Sequence, residues 1–205
     1  MRESGYSVLR VDDGGRLPLR RLHAERLGPG AGPALARFAR RAAPGVYRAT
    51  WNGEALTVTA RGPSRLRDGL PTRLVPSPFA HVRGRFPKPA PPSPYEAVRL
   101  DGMVSLLTDE GGHQLYEACV AGLVAWSGAA LVLPPEDAPA VASVAERAIA
   151  ERLSPQRAPL LVSDRWPLLL VNAAVGTCAP AVPGRGAFPA DVRARLDALL
   201  ASEDA

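Results

Sequence analysis

The chain has 205 residues, enough for one large domain or for two lobes of about 100 residues each. Its hydrophobic content of 46% supports an interior built mainly from Ala, Val and Leu, since aromatic residues make up only 5%. The net charge of +5 is scattered among 20 carboxylates, without basic blocks or aromatic spacing suited to base stacking, which argues against nucleic-acid binding.

Membrane and metal partners are not expected either. No uninterrupted apolar run reaches the roughly 18 residues of a membrane-spanning helix. Residues 1–5 contain no apolar signal core, so we expect a cytoplasmic protein. Cys119 and Cys178 lie far apart without a CxxC motif and are interpreted as buried, reduced thiols. The three histidines lack metal-ligand spacing, so no metal site is expected.

The first part of the chain shows short periodic patterns separated by turn residues. The turn at residues 12–15 and the pair Asn52-Gly53 are both typical of hairpins. The predicted elements are, in order, a strand at Tyr6–Val11, a returning strand at 17–19, helices at 22–27 and 33–43, hairpin strands at Gly45–Trp51 and 55–61, and a strand at 72–75 that closes the lobe.

Residues 76–94 contain seven prolines, which favour a stiff, extended connection. A disordered tether and a packed segment lined by Phe79 and Phe86 are both open interpretations. The elements predicted beyond it are a helix at 94–100, strands at 103–108, 114–119, Gly122–Trp126 and 130–133, a helix at 141–152, strands at 160–162 and Leu168–Asn172, and a helix at 191–200.

Short strands in hairpins, with a few helices between them, predict an α+β protein with two lobes. We expect a small lobe over residues 1–76, a proline-rich interlobe segment over 77–93 and a larger lobe over 94–205.

Lys88 is the most informative residue, because it is the only lysine. The other 24 residues of the Lys+Arg total of 25 are arginines. A desolvated lysine can lose its proton and form a Schiff base with a carbonyl group, whereas arginine stays protonated. A catalytic lysine is therefore our hypothesis, and an ordinary surface lysine is the alternative.

Several short motifs follow one another in an informative order. They are the hairpin-like start at 7–19, the H-x-x-R-L helix at 23–27, the stretch at 45–49 before Asn52-Gly53, Lys88, Tyr95 seven residues later, the stretch at 105–118 that contains Glu117, and Leu133-Pro134-Pro135. This order resembles the class IV, fold-type IV pyridoxal-phosphate enzymes, which include branched-chain and D-amino-acid aminotransferases and, most similar in these motifs, 4-amino-4-deoxychorismate lyase. The resemblance covers nearly the whole chain and implies a two-lobe architecture like that of D-amino-acid aminotransferase.

The resemblance implies roles for individual residues. Lys88 would form the Schiff base and move a proton, and Glu117 would hold the protonated ring nitrogen of pyridoxal 5'-phosphate. Tyr95 would be a further catalytic residue, and Arg26 would contact the cofactor phosphate. The other cofactor contacts would come from Val141, Ala142 and Asn172.

Each of these roles has a simpler alternative. Tyr95 could serve packing, Arg26 could be a solvated helix charge, and Glu117 could be a surface carboxylate on a strand. The sequence also departs from the family where the phosphate binds. The family's P-G-V/I-T-R, S-N and N-S-L stretches read Pro139-Ala140-Val141-Ala142-Ser143, Ala121-Gly122 and Asn172-Ala173-Ala174. Backbone amides at the start of the following helix could still hold a phosphate.

Three functions are compatible with these observations. The first is a pyridoxal-phosphate lyase or transaminase that acts on a small amino acid or an aminated chorismate-type substrate, for which the resemblance implies a homodimer. The second is a cofactor-independent descendant of the fold that uses Lys88 and Glu117 for acid–base chemistry. The third is a non-catalytic partner subunit of a biosynthetic enzyme.

Overall fold

The computed structural model describes residues 6–62, 64, 66–89 and 93–203, and these ranges form three β-sheets and five α-helices. Residues 1–5 and the prolines at 91 and 92, which entered the sequence predictions, lie outside the described residues. No helix within the described ranges has the length and apolar character needed to cross a membrane.

The first sheet is antiparallel and consists of β1 (Tyr6–Val11), β2 (Gly45–Trp51) and β3 (Leu56–Arg61), in that order. Val8 lies opposite Arg48, and Arg48 lies opposite Thr59. Because side chains alternate along a strand, one face of the sheet is apolar and packs on the nearby helices. The opposite face carries Arg10, Arg48 and Arg61.

The second sheet has the strand order β10-β6-β5-β4. Its members are β4 (Thr72–Pro76), β5 (Val104–Thr108), β6 (Gln114–Ala118) and β10 (Leu160–Leu161). β4 and β5 are parallel, whereas β5, β6 and β10 are antiparallel. β5 lies between two strands and is buried along its whole length.

The third sheet has the strand order β12-β11-β7-β8-β9. Its members are β7 (Gly122–Trp126), β8 (Leu131–Leu133), β9 (Gln156–Arg157), β11 (Leu168–Asn172) and β12 (Gly176–Cys178). Apolar residues of the second and third sheets form one core, which includes Leu106, Leu115, Leu123 and Leu170.

The helices are α1 (Arg20–Leu27), α2 (Ala31–Ala39), α3 (Pro94–Ala97), α4 (Val144–Leu153) and α5 (Ala190–Leu200). The apolar residues before and within α1, Leu19 and Leu22, pack in a core with α4 and α5. The Leu19 backbone N–H also donates a hydrogen bond of 2.9 Å to the Ser202 carbonyl oxygen. Although α1 lies between β1 and β2 in sequence, its start therefore packs against α4 and α5 from the far part of the chain.

The α+β class predicted from the sequence is confirmed, but the prediction of a returning strand at 17–19 is wrong. β1 pairs with β2 instead. Leu19 adopts a φ of 55°, which ends an extended chain, and both Leu17 and Leu19 are fully buried as the chain turns into α1.

The strand predicted at 72–75 is present as β4, but its expected position is wrong. It does not close the first sheet, because its hydrogen-bonding partner is β5 of the second sheet. The lobe boundaries at residues 76 and 94 stay a prediction. The helix predicted from residue 141 begins at Val144, because Ser143 acts as the N-cap and its Oγ accepts a hydrogen bond of 3.3 Å from the Glu146 N–H.

The described part of the proline-rich segment is packed rather than loose. The Phe79 ring lies 4.7 Å from the Phe86 ring and 5.1 Å from the Tyr95 ring, between centroids. The Phe86 N–H donates to the Ala140 carbonyl oxygen at 3.1 Å, and the Ala142 N–H donates to the Phe86 carbonyl oxygen at 2.9 Å. These contacts fix the chain two residues before Lys88.

Candidate active site

A cleft brings together side chains from both parts of the chain. It is lined by residues of the first sheet, of α1, of the segment around Lys88, of β6 and the turn after it, of the start of α4 and of the end of β11. Predicted site residues that line it are Arg26, Lys88, Tyr95, Glu117, Val141 and Asn172. The structure therefore brings these six residues together, with Ala142 next to Val141 in sequence, and the roles assigned to them stay predictions.

Lys88 is half-buried in this cleft. Burial lowers the pKa of its ammonium to about 8, and the positive charges of Arg26 and Arg61 act in the same direction. The Nζ atom lies 5.2 Å from the centre of the Tyr6 ring, which stabilises a cation. With a pKa of about 8, roughly one tenth of Lys88 is the neutral amine at pH 7, far more than for a lysine with the ordinary pKa of 10.5.

Glu117 is buried and both of its carboxylate oxygens are hydrogen-bonded. The Tyr95 hydroxyl donates to Oε1, and the Val141 N–H donates to Oε2 at 3.2 Å. Burial raises the pKa of Glu117 to about 7, against the opposing effect of the Tyr95 hydrogen bond. Burial and the Glu117 charge raise the pKa of Tyr95, so its hydroxyl remains a donor.

Arg26 stands in the last turn of α1 and lines the cleft. Its Nη2 atom is buried and has no hydrogen-bond partner among the described residues. Burial lowers the pKa of the guanidinium to about 10, which reflects an uncompensated charge. A buried donor without an acceptor is uncommon in native proteins, so Nη2 of Arg26 is free to donate to an anionic ligand in the cleft.

The other predicted cofactor contacts are already engaged within the protein. The Val141 N–H binds Glu117, and the Ala142 N–H binds the Phe86 carbonyl oxygen. The Asn172 side chain donates to the Val120 carbonyl oxygen at 2.8 Å. Its Oδ1 accepts from a backbone N–H two residues further on. Their predicted role as cofactor ligands stays a prediction, and it would require these hydrogen bonds to rearrange or be shared.

The sequence predicted phosphate-binding amides at the start of this helix but placed that start at residue 141, whereas α4 begins at Val144. Ser143, Val144 and Ala145 line the cleft, and the first backbone N–H groups of a helix have no acceptors within the helix. The signal was present as Ser143-Val144-Ala145-Glu146, because S-x-x-E marks a helix start. If this S-x-x-E pattern had been used, the predicted helix would have begun at Val144, and the backbone amides expected to bind an anion would have been those of its first turn.

Sequence reasoning missed a buried ion pair beneath the cleft. Nη1 of Arg85 lies 2.9 Å from Oε2 of Glu146. Helical periodicity alone gave no sign that Glu146 would be buried. Within the described ranges, no group of three His, Cys, Asp or Glu side chains is arranged to hold a metal ion.

This arrangement can perform acid–base and carbonyl chemistry. It contains a partly neutral amine, a carboxylic acid with a pKa near neutrality and a guanidinium whose Nη2 has no hydrogen-bond partner among the described residues, all lining one cleft. Groups with pKa values near the ambient pH are the ones that exchange protons efficiently.

Solved structures share this fold over nearly their whole length. A hypothetical aminotransferase from Mycobacterium tuberculosis, in its PLP-bound form, matches with a TM-score of 0.69 at 20% identity, over 100% of this chain and 91% of that chain. The 4-amino-4-deoxychorismate lyase from Pseudomonas aeruginosa matches with a TM-score of 0.64 at 17% identity, over 96% and 89%. A fold IV transaminase from Curtobacterium pusillum matches with a TM-score of 0.64 at 13% identity, over 97% and 86%.

No protein-family model matches the sequence, and no curated protein matches it either. Since the identities to the solved structures are 20% or lower, the likeness establishes the architecture. The α+β architecture expected from the motif order is confirmed, and the chain has the fold of the class IV, fold-type IV aminotransferases and 4-amino-4-deoxychorismate lyases.

Proposed function

We propose that the chain is a pyridoxal-phosphate-dependent enzyme, a lyase or a transaminase, that acts on a small amino acid or an aminated chorismate-type substrate. The observation that carries this proposal is the convergence of Lys88, Glu117 and Arg26 on one cleft of this fold. The homodimer and the cytoplasmic location expected from the sequence stay predictions.

The residues present are compatible with the cofactor. Lys88 would hold its aldehyde covalently, and the unpartnered Nη2 of Arg26 would bind its phosphate. The first amides of α4 would add further phosphate donors. Glu117 would accept a hydrogen bond from the ring nitrogen, because each carboxylate oxygen can accept a second hydrogen bond beside the one it has.

The bound cofactor would supply an electron sink for negative charge at the substrate α-carbon. The protein residues supply the proton transfers. Nζ of Lys88, with a pKa of about 8, can accept a proton from carbon and return it at neutral pH. The Tyr95 hydroxyl stabilises the ionised form of Glu117, the form that can pair with a protonated ring nitrogen.

Arginines of the first sheet are the groups that we assign to a substrate carboxylate. The Nε atoms of Arg10 and Arg48 are buried and have no hydrogen-bond partner among the described residues. The guanidinium carbon of Arg48 lies 5.1 Å from the centre of the Tyr6 ring, the same ring that Lys88 contacts. A carboxylate next to Lys88 would therefore meet a guanidinium donor.

A second candidate is cofactor-independent acid–base chemistry in the same cleft. It is favoured by one observation, the engagement of the Val141 and Ala142 amides and of the Asn172 side chain in internal hydrogen bonds. In this case Lys88 would act as the base and Glu117 as the acid, and the arginines would bind an anionic substrate directly.

Cofactor trapping separates the two candidates. The purified protein is mixed with pyridoxal phosphate, its visible absorbance is recorded, the imine is reduced with borohydride, and the peptides are mapped by mass. A saturable absorbance band and an adduct on Lys88, both lost in Lys88→Ala, are expected. An adduct confined to the N-terminal amine, together with a flat spectrum, would contradict the proposal and favour the second candidate.

A further inference from the structure

The buried ion pair between Arg85 and Glu146 lies directly beneath the cleft. The two side chains are only 12% and 4% exposed. Nη1 of Arg85 lies 2.9 Å from Oε2 of Glu146, at ion-pair distance although not at a hydrogen-bonding angle. Oε1 of Glu146 accepts a hydrogen bond of 3.1 Å from the Leu123 N–H. Removing one member of such a pair leaves an uncompensated buried charge, which destabilises the folded state.

Gly122 makes room for the Glu146 carboxylate. A Cβ atom at position 122 would lie 2.5 Å from Oε1 and 2.7 Å from Cγ of Glu146, well inside van der Waals contact. Glu146 therefore occupies the space that any side chain at position 122 would need. Position 122 is one of those at which this sequence lacks the polar residue of the family. In the structure, the Glu146 carboxylate of α4 lies beside this position instead.

The pair is also connected to Lys88 through the chain. Arg85 lies three residues before Lys88, within a stretch whose backbone is hydrogen-bonded to the loop before α4. The Gly84 N–H donates to the Asp137 carbonyl oxygen at 3.0 Å, and the Phe86 N–H is bonded to the same loop. Arg85 adds a side-chain anchor between these two backbone contacts.

The charge of Glu146 also affects the pKa of Glu117 in the cleft. Its carboxylate does not return to the Ser143 N–H, as it would in a complete capping box, but points toward Leu123 and Arg85. The negative charge of Glu146 raises the pKa of Glu117, whereas the positive charge of Arg85 lowers it. The pair thus lies close enough to act on the buried carboxylate of the cleft.

We infer that Arg85 and Glu146, seated over Gly122, are positioning residues that hold the Lys88 segment against the cleft. This inference rests on the proposed function in taking Lys88 as the reactive amine. Neither residue lines the cleft, so both act through the chain and through Glu117.

Competitive acetylation with trace acetic anhydride tests this inference without any cofactor. Since Lys88 is the only lysine, the only other amine is the N-terminal one, which serves as an internal reference. The labelling midpoint of Lys88 is expected at its pKa of about 8 in the wild type. If Lys88 were no longer held in the cleft, its pKa would rise toward the ordinary value of 10.5. Its labelling at pH 8 relative to the N-terminus would then fall about tenfold or more.

The variant to compare is Arg85→Met with Glu146→Gln. It removes both charges together, so no buried charge is left unpaired, and Gln keeps an oxygen for the Leu123 N–H. A second variant, Gly122→Ala, keeps both charges but displaces the Glu146 carboxylate. Gly62→Ala is its matched control, because a Cβ there meets no atom within 4 Å and its φ is not in the left-handed region.

The expected result is an upward shift of the Lys88 midpoint in the double variant and in Gly122→Ala, but not in Gly62→Ala. Circular dichroism and thermal melts verify that each protein is folded at the temperature of labelling. A Lys88 labelling midpoint that stays near 8 in the folded double variant or in folded Gly122→Ala would overturn the inference. A missing pyridoxal-phosphate adduct in the wild type would instead count against the proposed function alone, because acetylation does not depend on the cofactor.

Discussion

The Tyr95 hydroxyl donates a hydrogen bond to Oε1 of Glu117 inside the cleft. Tyr95 enters from α3, just after the proline-rich segment, and Glu117 enters from β6. The bond therefore joins α3, which directly follows the proline-rich segment that carries Lys88, to the second sheet. It also opposes the effect of burial on the Glu117 carboxyl, whose ionised form it stabilises.

Tyr95→Phe should raise the pKa of Glu117 above its value of about 7, because the bond that lowers it is lost while burial remains. The loss of a hydrogen bond to a buried carboxylate should also lower the free energy of unfolding by about 1–3 kcal/mol. NMR titration of 13C-labelled glutamate carboxyls measures the pKa, with the Glu117 signal assigned from Glu117→Gln. Tyr116→Phe, at the adjacent position on β6, is the control and should leave the Glu117 signal in place. A pKa that falls in Tyr95→Phe would contradict the role assigned to this bond.

Arg26→Met should stabilise the cofactor-free protein while it weakens phosphate binding. The buried guanidinium titrates at about 10 instead of 12.5, so the charge destabilises the folded state by up to about 3 kcal/mol. Urea unfolding and binding of inorganic phosphate, followed by calorimetry, measure the two effects. Arg37→Met, at an exposed position of α2, should change neither. A destabilised Arg26→Met protein would show that Arg26 has a structural partner rather than a missing ligand.

The pKa of Lys88 should respond in opposite directions to two substitutions in the cleft. Arg26→Met removes a like charge and should raise the pKa above about 8, whereas Glu117→Gln removes an opposite charge and should lower it. The pH dependence of Lys88 acetylation, with the N-terminal amine as reference, gives both values. An unchanged Lys88 pKa in both variants would mean that burial alone controls this lysine, and shifts in the same direction would contradict the assigned charge effects.

His23 should make the protein sensitive to mild acid. It is fully buried with its Nδ1 at 2.6 Å from the Ser7 Oγ, and burial lowers its pKa from 6.5 to about 3. Below pH 6.5, His23 is therefore protonated in the unfolded state but stays neutral in the folded state. Its contribution to the free energy of unfolding falls as the pH decreases. The contribution of His23 should be about 1.4 kcal/mol per pH unit, and Glu117, whose raised pKa makes the folded state take up a proton over the same range, should offset it in both the wild type and the His23 variant.

Urea unfolding at several pH values between 7 and 5 measures this slope for the wild type and for His23→Gln. The variant should be less stable at pH 7 but should lose less stability on acidification. His81→Gln, at an exposed position, should retain the wild-type slope. Equal slopes in His23→Gln and the wild type would assign the acid sensitivity to other groups.

Local patterns predicted the elements of the fold better than their pairing. β1, β2 and β7 have the predicted bounds, because alternation and flanking turns define a strand locally. The partner of β4 could not be read from the sequence, since a parallel pairing with β5 depends on a connection across the proline-rich segment. β9 and β12, with two and three residues, are too short to show any periodicity.

The site was predictable where a residue type carries its own chemistry. A single lysine and a family-like order of motifs pointed to Lys88, Glu117, Tyr95 and Arg26, and the four do line one cleft. The buried position of Glu146 was not predictable, because it depends on Gly122, which is distant in sequence and leaves space only in the folded chain. The engagement of the Val141 amide likewise depends on where the Glu117 side chain points.

The anchoring of α1 has a consequence for the order in which the protein can assemble. Leu19 and Leu22 belong to a core completed by α4 and α5, and the Leu19 N–H is bonded to Ser202. A ribosome delivers α5 long after α1, so the end of α1 that carries Leu27 can pack on the first sheet before the core around Leu19 and Leu22 is complete. The core that holds the start of α1 is therefore closed only after the last helix has emerged.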